Sequence, residues 1–166
     1  MKEVSPIEWA VLPLKKYAVF SGRAPRAEYW WFYLLTVVVQ IPLTIVDQGL
    51  AEWGPLSSLF SLATFIPSLA VTVRRLHDTN RSGWWLAAIL VPLLVIGIAA
   101  VGALGSMGGE ASAPAGSALV VLIVSLVAFI ILGITVLVFM VTEGTGGPND
   151  YGPDPYGPDN LESVFA

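Results

Sequence analysis

The chain has 166 residues, 55% of them hydrophobic and only 12% charged, with a net charge of −4. A soluble domain carries about 25% charged residues, so too few remain here to solvate an ordinary surface, and a mean hydropathy of +0.75 points to lipid as the solvent. The absence of cysteine excludes disulfides, thiolate chemistry and zinc–cysteine sites, and the acidic balance argues against a nucleic-acid partner.

In chain order, the first element is an amphipathic stretch. Pro6 to Phe20 mixes Ile7, Trp9, Val11, Leu12, Leu14, Tyr17 and Phe20 with Glu8, Lys15 and Lys16, and Ile7, Val11, Leu14 and Ala18 share one helical face. Such a stretch suits the membrane interface. Pro13 interrupts the pattern, so the helix is predicted over Pro13 to Phe20. No cleavable signal peptide is expected, because the first long apolar run begins only near Trp30.

Four runs follow that approach the roughly 20 apolar residues needed to cross hydrocarbon. They are Trp30 to Val46, Leu56 to Val73, Trp84 to Leu104 and Ala118 to Thr142. Pro42, Pro67 and Pro92 fall inside the first three, where a helix persists because an unfolded backbone in lipid would leave its polar groups unpaired. The fold class is therefore an all-α membrane protein, a four-transmembrane-helix bundle with a short N-terminal interfacial helix and an irregular acidic C-terminal tail. Residues 1–29 form the N-terminal segment, 30–142 the membrane domain and 143–166 the tail.

All eight Lys and Arg residues lie before the first run or between the second and third. The loops Asp47 to Pro55 and Gly105 to Ser117 have none. Basic loops stay cytoplasmic, so both ends of the chain are expected in the cytoplasm. Trp30–Trp31 and Trp84–Trp85 open the first and third spans on that same side, at headgroup level. The loop Ser106 to Ser117, nearly all Gly, Ala, Ser and Pro, is expected to be a flexible connector. The tail repeats Tyr-Gly-Pro-Asp at Tyr151 and Tyr156, which predicts turns rather than helix.

Three motifs stand in order around these runs: Phe20-Ser-Gly-Arg-Ala-Pro-Arg-Ala-Glu-Tyr-Trp-Trp-Phe32, Arg74-Arg-Leu-His-Asp-Thr-Asn-Arg-Ser-Gly-Trp-Trp85, and Gly144-Thr-Gly-Gly-Pro-Asn-Asp-Tyr-Gly-Pro-Asp-Pro155. With them, from about Leu14 to Pro155, the chain resembles the YhaH-like bacterial inner-membrane family, catalogued as domain of unknown function 805. The resemblance implies an inner-membrane location and several helical spans, and it implies no activity. Asn80 stands where the family pattern more often has Gly.

In this topology the three motifs meet at one face. Arg23, Arg26, Arg74, Arg75 and Arg81 bring cations, Glu28, Asp78 and Asp154 carboxylates, and His77, Asn149 and Tyr151 further hydrogen-bonding groups. The simplest reading is a salt-bridged cap, in which arginines fasten the tail through paired hydrogen bonds to carboxylates. The alternative is an anion site, with a lipid phosphate or another anionic ligand among Arg23, Arg26 and Arg74. A small transporter is the third reading. Ser57, Ser61, Thr64, Ser68 and Thr72 form a hydroxyl stripe, but no ionisable residue falls within the apolar runs, and such stripes usually serve helix packing. No catalytic, metal or cofactor residues are expected: His77 is the sole histidine, and Gly144-Thr-Gly-Gly lacks the Lys-Ser/Thr of a phosphate loop. The expected partners are the bilayer, anionic lipids among it, and a second copy or another membrane protein, for which Ala99 and Ala103 give a small-residue pair.

Overall fold

The computed structural model of the chain describes residues 4–50, 55–106 and 115–157, leaving aside the side chains of 50, 103–106 and 115–118. The elements are α1 (Pro6–Lys15), α2 (Arg26–Leu50), α3 (Pro55–Asp78), α4 (Trp84–Ser106) and α5 (Ala115–Val141). The described residues contain no strand, only an isolated bridge between Asn149 and Gly152. Helices α2 to α5 are each long and apolar enough to cross a membrane, and the chain is an all-α membrane protein with four such helices.

The N-terminal helix lies earlier than the sequence suggested. It covers Pro6–Lys15, not Pro13 to Phe20. Its start is fixed by a capping box: Ser5 Oγ accepts from the Glu8 amide at 3.2 Å, and Glu8 Oε2 accepts from the Ser5 amide at 2.7 Å. Pro6 occupies the first turn, where no amide is missed. Pro13 falls in the last turns, so its missing N–H shortens the helix instead of beginning one.

The membrane helices also outrun the apolar runs. Helix α2 starts at Arg26 and α3 continues to Asp78, so Glu28, Asp47, Arg74, Arg75 and Asp78 are all helical. The prolines at 42, 67 and 92 sit inside continuous helices. Helix α3 stops in a Schellman motif: the Arg81 amide donates to Leu76 O, the Asn80 amide to His77 O, both at 2.9 Å, and Asn80 adopts φ 55°. That left-handed position explains why Gly suits residue 80 and why Asn, the residue next most tolerant of it, replaces Gly here.

The chain forms two compact units. One comprises Met1–Gly83 with Met140–Ala166, the other Trp84–Phe139. In the first, α1 packs on α2 and α3 through buried Trp9, Ala10 and Leu12. Helices α2 and α3 run antiparallel. Asp47, near the end of α2, accepts from the Leu56 and Ser57 amides at the start of α3 (3.1 and 2.7 Å), while Glu28, at the start of α2, meets Arg74 near the end of α3. Ala24, Phe32 and Val71 form the apolar core between them, with Tyr29 against it. In the second unit, Trp85 near the start of α4 meets Phe139 near the end of α5 edge-to-face, at 5.1 Å between ring centroids.

Most of the connector between α4 and α5, the Glu52 loop, the second Gly-Pro-Asp step from Pro158 onward and the side chain of Ala103 lie outside the described residues.

Candidate functional site

The polar residues gather in the first unit, where the start of α2, the end of α3 and the tail meet. They form two knots and not one cluster. At the centre of the first is Asp78. Arg23 donates through Nε to Asp78 Oδ1 at 2.9 Å, and Arg75 donates through a terminal nitrogen to Asp78 Oδ2. These side chains are no more than 2% exposed. The other two nitrogens of each arginine donate to backbone carbonyls. Arg23 reaches Gly147 O and Thr145 O, each at 2.6 Å. Arg75 reaches Met140 O at 3.2 Å and Thr142 O. Two buried guanidiniums thus share one carboxylate and complete their hydrogen bonding on the segment leaving α5. A buried charge is otherwise costly, and these added hydrogen bonds offset part of that cost.

The second knot is the Arg74–Glu28 pair, 2.7 Å apart, with side chains 2% and 0% exposed. It ties α3 to α2 and does not touch the tail. Arg74 Nε and NH2 and Glu28 Oε2 make no further hydrogen bond. Lys16 lies near this pair. Partial burial pushes its pKa down, while the Glu28 carboxylate pulls it back up.

Other predicted residues hold the tail in place. The His77 ring stacks on Tyr151 with centroids 3.9 Å apart and planes within 7°, and its Nδ1 lies 3.1 Å from Gly22 O. Asn149 donates through Nδ2 to His77 O at 2.9 Å and to Thr145 Oγ1 at 2.8 Å, and its Oδ1 accepts from the Tyr151 amide. Asp154 organises the turn, accepting from the Gly147 and Tyr156 amides at 3.0 and 2.9 Å. Those two N–H groups hold its carboxyl below the usual range. Arg26 makes a more exposed pair with Glu143 at 2.9 Å. Arg81 donates to Thr79 O at 3.0 Å in the turn after α3.

Several contributors were not singled out by the sequence. Gly144 sits where a Cβ would fall 2.6 Å from Asp78 Cγ, so only glycine lets the chain pass the knot. The Thr145 amide donates to Asp78 O at 2.9 Å. Gly144-Thr-Gly-Gly was the available signal: clustered glycines mark close backbone approach as well as phosphate loops.

Most of the hydroxyl stripe is bonded within its own helix. Thr64, Ser68 and Thr72 donate to the carbonyls four residues back, at Phe60, Thr64 and Ser68 (2.6 to 2.8 Å). Ser61 reaches across to α2, donating to Gln40 Oε1 at 3.3 Å. Among the described residues no group of His, Cys, Asp and Glu is placed to hold a metal ion.

Comparison with known proteins agrees with the motifs. The family model described as "Protein of unknown function (DUF805)" matches residues 17–153. Inner membrane protein YhaI of Escherichia coli K12 is 36% identical over 147 residues, covering 88% of this chain and 93% of its own. Inner membrane protein YhaH of the same organism is 38% identical over 94 residues, covering 53% and 77%. The uncharacterized protein YiiR is 30% identical over 79 residues, covering 46% and 53%. No solved structure matches. With the family model spanning the four membrane helices, the first two polar motifs and most of the third, the chain belongs to the DUF805 family.

Proposed function

We propose that the chain is a bacterial inner-membrane protein with both ends in the cytoplasm, whose polar cluster is a structural cap fastening the tail beneath the membrane helices. One observation carries this reading: every guanidinium nitrogen of Arg23 and Arg75 is engaged by Asp78 or by a carbonyl of residues 140–147. Each nitrogen already has a partner inside the protein, so a ligand would have to compete with these bonds. Hydrogen exchange of the tail amides tests it. Arg23→Ala is expected to release protection at Thr145 to Tyr156 while α2 and α3 stay protected; unchanged protection of the tail would refute the cap.

Anion capture has a narrower basis. Arg26 is 43% exposed in its side chain and borders a cavity of about 240 Å³ lined also by Arg23 and by the carboxylates of Asp78, Glu143 and Asp154. An anion entering it would have to displace Glu143 from Arg26. If so, Arg26→Ala lowers the anionic lipid retained in native mass spectrometry; equal retention rejects capture.

A further inference from the structure

Helix α1 has two apolar faces, and the helices account for one of them. Trp9, Ala10, Leu12 and Pro13 are buried against α2 and α3. On the other side Ile7 is 75% exposed, with Leu14, Val19 and Phe20 also open. In water such a strip would be a liability.

Its depth is set by an unusual bond. Pro67 lies inside α3 and has no N–H, so the carbonyl four residues earlier, at Ala63, loses its helical partner. Tyr17 Oη donates to that carbonyl at 2.9 Å, from 46 positions away in sequence. Ala63 is well inside the apolar run of α3. It lies ten residues before Val73, where the charges begin, or about 15 Å along the helix. A tyrosine side chain reaching that carbonyl brings its own backbone below the level of Val73. The strip is therefore carried to the depth where hydrocarbon starts. It continues a surface of α2 that faces outward at Tyr33, Leu34 and Val38, on a membrane-crossing helix. Lys15, exposed in the last turn of α1, has a stem long enough to return its ammonium to the headgroups.

We propose that the outer strip of α1 and its following segment, Ile7, Leu14, Val19 and Phe20, is a lipid-contacting surface seated at the headgroup–acyl boundary, and that the Tyr17–Ala63 hydrogen bond sets its depth. Interfacial segments of this kind bury their apolar face about 5–10 Å. The occupant is the acyl chains of the bilayer and not a second protein.

The chain has no cysteine, so single-cysteine variants are readily labelled. Leu14→Cys and Phe20→Cys, carrying nitroxides, are reconstituted in vesicles of phosphatidylcholine and phosphatidylglycerol, with Val38→Cys as the span control. The expected result is collision with oxygen comparable to the span control and exclusion of a water-soluble nickel chelate. Free collision with nickel would overturn the proposal by placing the strip in water. Immobilised spectra shielded from both reagents would overturn it by placing protein there. The depth element is tested by Tyr17→Phe, which is expected to move the Leu14 label outward. Pro67→Ala restores an N–H to the Ala63 carbonyl, so in that background Tyr17→Phe is expected to have little further effect. An equal shift in both backgrounds would overturn the anchor, and the labels alone still test the lipid surface.

Discussion

Gly144 passes so close to Asp78 that a single added carbon would lie 2.6 Å from the carboxylate carbon. Asp78 cannot retreat, because Arg23 and Arg75 hold its two oxygens from different directions. Gly144→Ala is therefore expected to destabilise the protein by about 1–3 kcal/mol, the usual cost of overpacking. Gly146→Ala, two residues on, meets open space and is expected to be neutral. Denaturant unfolding in detergent compares the two, and equal stabilities would show that the close approach is relieved at no cost.

Removing the shared carboxylate has a larger effect. Asp78→Ala leaves two buried guanidiniums without a counter-charge, and breaking buried pairs costs about 3–5 kcal/mol. Glu143→Ala removes only the exposed partner of Arg26, where surface pairs are worth about 0–1 kcal/mol. Thermal melts in one detergent should rank Asp78→Ala far below Glu143→Ala.

Residue 80 tests the end of α3. Its φ of 55° costs a residue bearing Cβ about 1–2 kcal/mol, and Asn tolerates it better than most. Asn80→Ala is expected to lower stability by about 1 kcal/mol, and Asn80→Gly to keep or raise it. The reverse order would contradict the Schellman ending.

Asp154 gives the tail a pH dependence. Its folded pKa is depressed by the Tyr156 and Gly147 amides. A depressed carboxylate contributes stability that is complete above its unfolded pKa of about 3.9 and is lost as pH falls through the lower folded value. Protection of the tail against protease should hold at neutral pH and fall below about pH 4. Asp154→Asn should weaken protection at neutral pH and flatten that part of the profile.

Asp47 caps α3 from another helix, accepting from the Leu56 and Ser57 amides. A carboxylate there satisfies orphan donors at the positive end of the helix dipole. Asp47→Ala is expected to speed amide exchange in the first turn of α3 and leave the Asp78 knot unchanged.

Much of the fold was legible because lipid imposes one simple rule. Runs such as Leu56 to Val73 have no charge, and nothing but a helix satisfies their backbone there. Helix ends were not legible in the same way. Arg74 and Arg75 ended the apolar run, yet α3 continues through them, since their partners are supplied by tertiary contacts no local pattern records. Pro13 misled for the opposite reason: the local capping box of Ser5 and Glu8 outweighed it. The site was legible as a list. Arg23, Arg75 and Asp78 do converge, while the separation of Arg74 with Glu28 follows from helical phase, adjacent arginines pointing about 100° apart. The carbonyls of Met140, Thr142, Thr145 and Gly147 were hidden because every residue has a carbonyl, and only the folded path shows which are used.

The carbonyls that complete Arg75 and Arg23 lie 65 to 124 positions further along the chain. At a synthesis rate of about 5–20 residues per second, both arginines wait several seconds for them. During that interval α3 has the Asp78 carboxylate for its guanidiniums but not the carbonyls that complete them. Helix α5 and the tail thus act as a finishing stitch: the end of α3 is drawn tight only once residues 140–147 have left the ribosome.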